Sequence, residues 1–475
     1  MRDRILCAVK YVLLCLPLLF GLIGLLTAGE GFGNSLYSAL SMYLLQYQSS
    51  APNFLTGLAR WTAPLATIFG VLYAIPAVRE RVRNFVRWRA GKSVAVYGPE
   101  TERKLLLAQL GRRGIEGRDR LVRAGRYVLL GDEAENFLFW SANHEQLEYT
   151  PVYISCRCLP PYSASDPMLR LFCPEETAAR LFWPERCLFE LSTGCEHRMR
   201  IVLLGFGRLG EELLYSGLMC NIFSPEQHIE YHVFGDCSVF TGSRPGLAGI
   251  GDAVVEHTEP WHKSLPLLEE AQAVIVLEQN GQLELLKNLL LALRRREIDV
   301  FDAGGRECEL LPGRERLSLF AWRERAFSLK QIFSDAVLDR ARHINLRLAR
   351  RRDVKTEETP ERLREQWYEL DAFMRRERIS QAVYHDIRLK MLGVIGSPPD
   401  PSVMPPELLE LLASLEHTRR CRYYYLNNHT AASPETSMGE DALRRVNAQL
   451  IQYDALPDEE KEHARETVRT LLSVN

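Results

Sequence analysis

RIVLLGFGRLGEE, residues 200–212, is the stretch on which the reading of the whole chain turns. An apolar run ends in G-x-G-x-x-G and passes into residues with helical spacing. A nucleotide-binding βαβ unit uses this arrangement to set a pyrophosphate against a helix N-terminus. Gly205 suits the tight turn, Gly207 the approach of backbone to phosphate, and Gly210 the close packing of helix on strand; Phe206, Arg208 and Leu209 fill the same turn. The surroundings fit: a helix to about residue 218, a second strand near 229–234, and then Asp236, the acid expected to meet a ribose. NAD(H) or a related adenine nucleotide is the cofactor this points to. A Rossmann unit that keeps its glycines for packing alone is the competing reading.

Outward from this stretch the alternation of strand and helix continues. A possible strand at 253–255, a helix near 265–270, the apolar strand AVIVLE (273–278), an amphipathic helix at 283–296 and the strand beginning IDVFD complete the unit. Glu278 and Asp302 fall at the carboxyl ends of strands, where solvated loop acids are the ordinary reading. Upstream, SVAVYG, RYVLLGD, PVYIS and LRLFC alternate with helical stretches and predict another doubly wound α/β domain. Its first turn, G-P-E-T, lacks the second glycine, so packing rather than dinucleotide binding is expected of it.

The N-terminal part reads differently. Residues 5–28 are apolar apart from Lys10, long enough at 1.5 Å per residue to cross about 30 Å of hydrocarbon, and 61–78 form a second apolar run. RERVRNFVRWRAGK (79–92) then sets six basic residues against Glu80 alone, which by the positive-inside rule places both termini in the cytoplasm. Between the runs, NSLYSALSMYLLQYQ suits either a re-entrant helix of a pore-loop subunit, arranged as a tetramer, or an amphipathic linker. No T-V-G-Y-G filter follows it; the sequence there is QYQSSAPN. Net charge is −2, which favours no nucleic-acid partner, and the 11 scattered cysteines lack C-x-x-C pairs, so neither a metal site nor a disulfide framework is expected.

The C-terminal third is helical and rich in arginine, with a connector over 317–358 and a further unit over 359–475. Arg375, Arg376 and Arg378 lie on one helix, and Glu416, His417, Arg419 and Arg420 within about one turn of another. Two helices presenting guanidinium groups to one cleft suit a phosphate, while a solvated charge run is the plainer alternative.

Apolar spans followed by two Rossmann-like units, the second carrying GFGRLG, resemble the regulatory TrkA-N (RCK) domains attached to prokaryotic potassium channels and transporters. The resemblance implies an assembled ring that binds nicotinamide or related nucleotides and moves pore helices. The unit from 359 to 474 resembles the ryanodine-receptor-type (RyR) domain through Lys390 to Gly393 and through E-H-x-R at Glu416, His417 and Arg419. Arg420 stands where that family usually has tryptophan, and Leu426-Asn427 where it has G-W. It implies a helical module that senses a small ligand; together with the arginines on the two helices, this makes Arg376, Glu416, His417, Arg419 and Arg420 the candidate contacts for an anionic molecule.

The resulting expectation is a two-span α-helical membrane region (1–92), two α/β Rossmann-like domains (93–195 and 196–316), a helical connector and an all-α domain. The function expected is a channel or channel-like effector of the inner membrane, with potassium the cation considered, gated by a nucleotide-like ligand. Its partners would be the lipid bilayer and further copies of the chain. A membrane-anchored nucleotide sensor without a pore is the alternative, and no nucleophile or acid–base pair marks the chain as an enzyme.

Overall fold

The computed structural model describes residues 2–44, 46, 53–74, 76–89, 92–118, 120–157, 168–277, 280–293, 296–302, 311–352, 358–393, 404–432, 440–441 and 445–474. The chain separates into two compact units, residues 1–93 with 122–125, and residues 94–121 with 126–475.

The first unit is a helical hairpin of α1 (Arg2–Thr27), α2 (Phe32–Ser41), α3 (Phe54–Ala74) and α4 (Pro76–Arg89). Small residues let α1 and α3 meet: a Cβ on Gly24 would lie 2.8 Å from the Thr56 methyl, and Ala59 and Ala63 are buried with Leu25 and Met42. Asn53 fixes the start of α3, donating from Nδ2 to the Gly24 carbonyl at 2.6 Å and accepting from the Thr56 amide at 2.8 Å. Phe32, Tyr37, Phe54, Trp61 and Leu65 remain exposed.

The expected membrane spans are overturned here. Among the described residues no helix is long and apolar enough to cross a membrane. Arg60, Thr56, Thr62 and Thr67 punctuate the apolar run of α3. The two-span membrane region and the multi-pass inner-membrane location with cytoplasmic termini are therefore corrected, and the channel reading loses the spans it rested on. The segment QYQSSAPN falls largely outside the described residues.

The second unit opens with an all-parallel sheet of β1 (Val94–Tyr97), β2 (Gly114–Glu116), β3 (Arg126–Leu129), β4 (Val152–Ser155) and β5 (Leu169–Phe172), in the order β2-β1-β3-β4-β5. Helices α5 (Glu100–Leu110), α6 (Glu133–Leu147), α7 (Pro174–Glu185) and α8 (Phe189–Gly194) complete this half. The buried Asn136, in the first turn of α6, joins its loops: Nδ2 lies 2.8 Å from the Gly131 carbonyl, 2.9 Å from that of Ser155 and 3.4 Å from that of Leu129.

The other half is a six-stranded parallel sheet. Its strands are β6 (Arg198–Leu204), β7 (His228–Phe234), β8 (Ala253–His257), β9 (Ala273–Val276), β10 (Ile298–Asp302) and β11 (Leu317–Ala321), in the order β11-β10-β9-β6-β7-β8. Between them run α9 (Gly207–Cys220), α10 (Ser238–Gly242), α11 (Leu265–Glu270) and α12 (Gln282–Ala292). The alternation of β6 explains its unbroken apolar run. Ile201 and Leu203 enter the core under α9, Val202 and Leu204 the core under α11 and α12, as a parallel strand covered on both faces requires. LSLFA at 317–321, read from sequence as the start of a helical region, is the edge strand β11, with Phe320 buried.

Short helices α13 (Trp322–Ala326) and α14 (Leu329–Phe333) lead to α15 (Ala336–Arg352), α16 (Pro360–Glu369), α17 (Ala372–Met391), α18 (Pro406–Leu426) and α19 (Asp458–Leu472). Beside them lies a small sheet of β12 (Thr430–Ala431), β13 (Glu440–Asp441) and β14 (Val446–Asn447). Replacing Asn136 by Ala strands several buried carbonyls and should lower stability by about 1–3 kcal/mol, measured as a shifted midpoint in chemical denaturation of the full chain.

Candidate functional site

Relative to β6, the strands of the second sheet follow the order 3-2-1-4-5-6, with the chain switching direction between β6 and β9. In open parallel sheets of this order ligands bind beyond the carboxyl ends of the strands at that switch point. The glycine turn lies there, directly after β6. Gly205 has φ +88° and Gly207 φ +56°, backbone angles that ordinary side chains rarely adopt, and α9 starts at Gly207. The first amides of α9 have no partner within the helix and carry its positive end. Among the described residues, nothing outside its own turn lies within 4 Å of a Cβ on Gly207, so the space in front of the turn is open. A Cβ on Gly210 would lie 2.8 Å from Leu277 and 2.9 Å from the Phe206 ring, so that glycine serves packing.

The other residues of the turn divide between core and cleft. Leu209 is buried, and Phe206 packs against Gly235 and edge-on to Phe240, 6.3 Å between ring centroids. Arg208 turns toward the first sheet: Nη1 pairs with Glu175 at 3.4 Å, and Nη2 lies 3.4 Å from the Cys173 sulfur. Asp236 stands exposed just past β7 and accepts from Ser238 Oγ at 2.6 Å and from its amide at 3.0 Å. Those bonds hold its carboxyl below the ordinary range, leaving an anion at the position where a ribose would be met. Glu278 lies outside the described residues.

Of the five arginine, glutamate and histidine positions singled out in the C-terminal part, Glu416, His417 and Arg420 line one cavity of about 530 Å³ with Glu377, Arg378, Gln381 and His463. Arg419 is fully buried beneath it. Its guanidinium spans Glu377 at 2.6 Å and Glu416 at 2.9 Å, while Arg388 takes the other Glu416 oxygen at 2.6 Å. Burial raises the Glu416 pKa, but Arg419 and Arg388 more than offset that and hold it below its usual value. Burial pushes His417 down, opposed by its contact to the Ile451 carbonyl, to which Nε2–H donates at 2.8 Å. Arg420 lies over the Tyr424 ring, 5.6 Å from its centroid.

Arg376 belongs elsewhere, in a cavity of about 150 Å³ between α7, α9, α17 and α18 that it shares with Glu176, Glu211, Glu212 and Tyr423. Reading by sequence placed Arg378 among the candidate arginines but passed over Gln381 and His463. Gln381 was within reach, since it follows Glu377 by four residues, about one helical turn. His463 arrives from α19, a helix far along the chain, and no local signal marks it.

No protein-family model matches the chain, and no curated protein sequence does either. Among solved structures, a dipicolinate synthase chain from Bacillus halodurans is similar at 12% identity over 50% of this chain and 94% of that chain, with a TM-score of 0.22. The likeness is too slight to bear on function.

Burial, followed by the neighbouring Glu176 and Glu211, pushes Glu212 on α9 up to about 8. The folded form therefore holds a proton that the unfolded chain, with a carboxyl near 4.5, releases earlier. Folded stability thus falls as pH rises between those two values, because the native state binds more protons across that window. Glu212→Gln should remove this decline, so that urea midpoints of variant and wild type diverge from about pH 5 to about pH 8 and run parallel above that.

Proposed function

We propose that the chain is a nucleotide-responsive regulatory protein in which the glycine turn of the second sheet binds NAD(H) or a related adenine dinucleotide. The observation that carries this reading is the coincidence at one place of strand order 3-2-1-4-5-6, left-handed Gly205 and Gly207, open space before Gly207, and Asp236 at the end of the neighbouring strand. The pyrophosphate lies against the first turn of α9, and the adenine ribose against Asp236. Arg208 has a different role, tying the turn to the first sheet through Glu175.

A second ligand reading is favoured by the 530 Å³ cavity among α17, α18 and α19, which gathers Glu416 and His417 of the RyR-type motif with Arg420, the residue that departs from it. In this reading Arg420 contacts a small anionic molecule, with Tyr424 beside it, while Arg378 stays paired with Glu377 at 2.5 Å. Arg419 holds the wall and does not touch the ligand.

Titration of the full chain with NADH tests the first reading. Gly207→Val fills only the space a ligand would occupy, at a backbone cost of about 1–2 kcal/mol. It should abolish NADH binding while the thermal transition stays cooperative; wild-type affinity in the folded variant would refute the nucleotide reading. For the cavity, Arg420→Ala should weaken binding of a nucleoside monophosphate by about one to two decades, the equivalent of roughly 1.5–3 kcal/mol for a bond to a charged group. Equal affinity in wild type and variant would leave Arg420 as a packing residue.

A further inference from the structure

The connection between β7 and β8 begins at Asp236 and ends beneath α18. It consists of α10, a tight 3-10 turn at Pro245–Gly249, and Asp252, which is buried just before β8. At its near end Phe240 touches the glycine turn through Phe206. At its far end the last two turns of α18 and the residues after them hold it at three points.

Arg422 is the anchor. Its Nη1 pairs with Asp252 Oδ2 at 2.5 Å and donates to the Leu218 carbonyl of α9 at 3.0 Å, while Asp252 Oδ1 accepts from the Ile229 amide of β7 at 2.9 Å. Both side chains are buried, so the anchor cannot slide without leaving a charge unpaired away from water. Tyr425 is the second point. A Cβ on Gly249 would come within 2.6 Å of its ring, and one on Gly246 would strike its carbonyl oxygen, so the 3-10 turn sits against the helix with no room for a side chain. Asn428 is the third, donating from Nδ2 to the Ser243 carbonyl at 2.9 Å.

We infer that Arg422, Tyr425 and Asn428 are positioning residues for the ribose side of the nucleotide site, so that the seating of α18 sets both affinity and ribose selectivity. This rests on the nucleotide reading above and adds its regulation. The pyrophosphate end is fixed by the glycine turn and α9. The ribose end depends on where the segment after Asp236 is held, and α18 holds it. Glu416, His417 and Arg420 occupy earlier turns of the same helix, so an occupant of the 530 Å³ cavity acts on the ribose side through one rigid element.

The experiment measures NADH and NADPH affinities of the full chain for wild type, Gly249→Ala, Asn428→Ala and, as a control destabilised elsewhere, Asn136→Ala. Gly249→Ala pushes the turn off Tyr425, and Asn428→Ala removes one exposed contact, so at least one folded variant is available. Both should weaken NADH binding by roughly two- to thirtyfold and narrow the preference for NADH over NADPH, whereas Asn136→Ala should change neither. Folded Gly249→Ala and Asn428→Ala variants with wild-type affinities and selectivity would overturn the inference and leave the nucleotide reading intact, and so would an equal change in Asn136→Ala. A wild-type chain that takes up neither nucleotide would remove the nucleotide reading itself, and this inference with it.

Discussion

The contact on which the larger unit depends is that of Trp183 with α9. The indole is fully buried; its Nε1 donates to the Leu213 carbonyl at 2.9 Å, and its ring lies where a side chain on Gly217 would be, 2.9 Å from a Cβ there. Trp183 belongs to α7, the last long helix of the first sheet, and α9 is the first helix of the second. One aromatic side chain and one missing one thus form the centre of the joint between the two sheets, beside Phe182 on Phe301 and Phe320 and the Arg208–Glu175 pair. The helical part then closes on the same helix end: Tyr384 donates to the Ile222 carbonyl at 2.7 Å, and Arg422 to that of Leu218. Because α9 begins at the glycine turn, whatever holds α9 also holds the turn.

The ionic network between α17 and α18 acts differently. Glu377 and Arg388 stand three turns apart on α17, and both reach α18, at Arg419 and Glu416. Buried pairs of this kind give little net stability compared with apolar residues, since desolvation offsets their attraction. Their consequence is register. A slip of one turn would leave two guanidinium groups and two carboxylates buried without partners, whereas Leu, Ile or Val at the same places would tolerate it. The cavity above the network keeps its shape because its floor has a single arrangement.

The glycine turn and the strands around it were legible in the sequence because every signal there is local. A continuous apolar run, three glycines at fixed spacing and an acid after the next strand are set by backbone geometry within one βαβ unit. The strand at 114–116 and the edge strand at 317–321 were not, since one has three residues and the other, at the sheet edge, buries little besides Phe320. Apolar runs alone were also insufficient at the N-terminus, where hydropathy suggested spans and no described helix is long and apolar enough to form one. Least legible was the seat of α18. Gly246, Gly249 and Asp252 are ordinary loop residues in sequence, and their meaning comes from a helix that begins more than 150 positions later.

The neighbouring pair Arg419 and Arg420 shows where a sequence motif stops being informative. Successive residues on a helix are turned by about 100°, so two adjacent arginines cannot face the same surroundings. Arg419 points toward α17 and is saturated by Glu377, Glu416 and Ser380 Oγ. Arg420 points into the cavity and lies on Tyr424, with its guanidinium over a ring rather than against a carboxylate. A guanidinium keeps its charge at any working pH, so one stacked on an aromatic face at a cavity wall can still accept an anionic partner, while one already bridging two carboxylates cannot without breaking the floor beneath it. In the cavity reading proposed above, it is therefore the turn of this helix, and not the E-H-x-R pattern, that would give Arg420 the contact with a ligand and Arg419 the support beneath it.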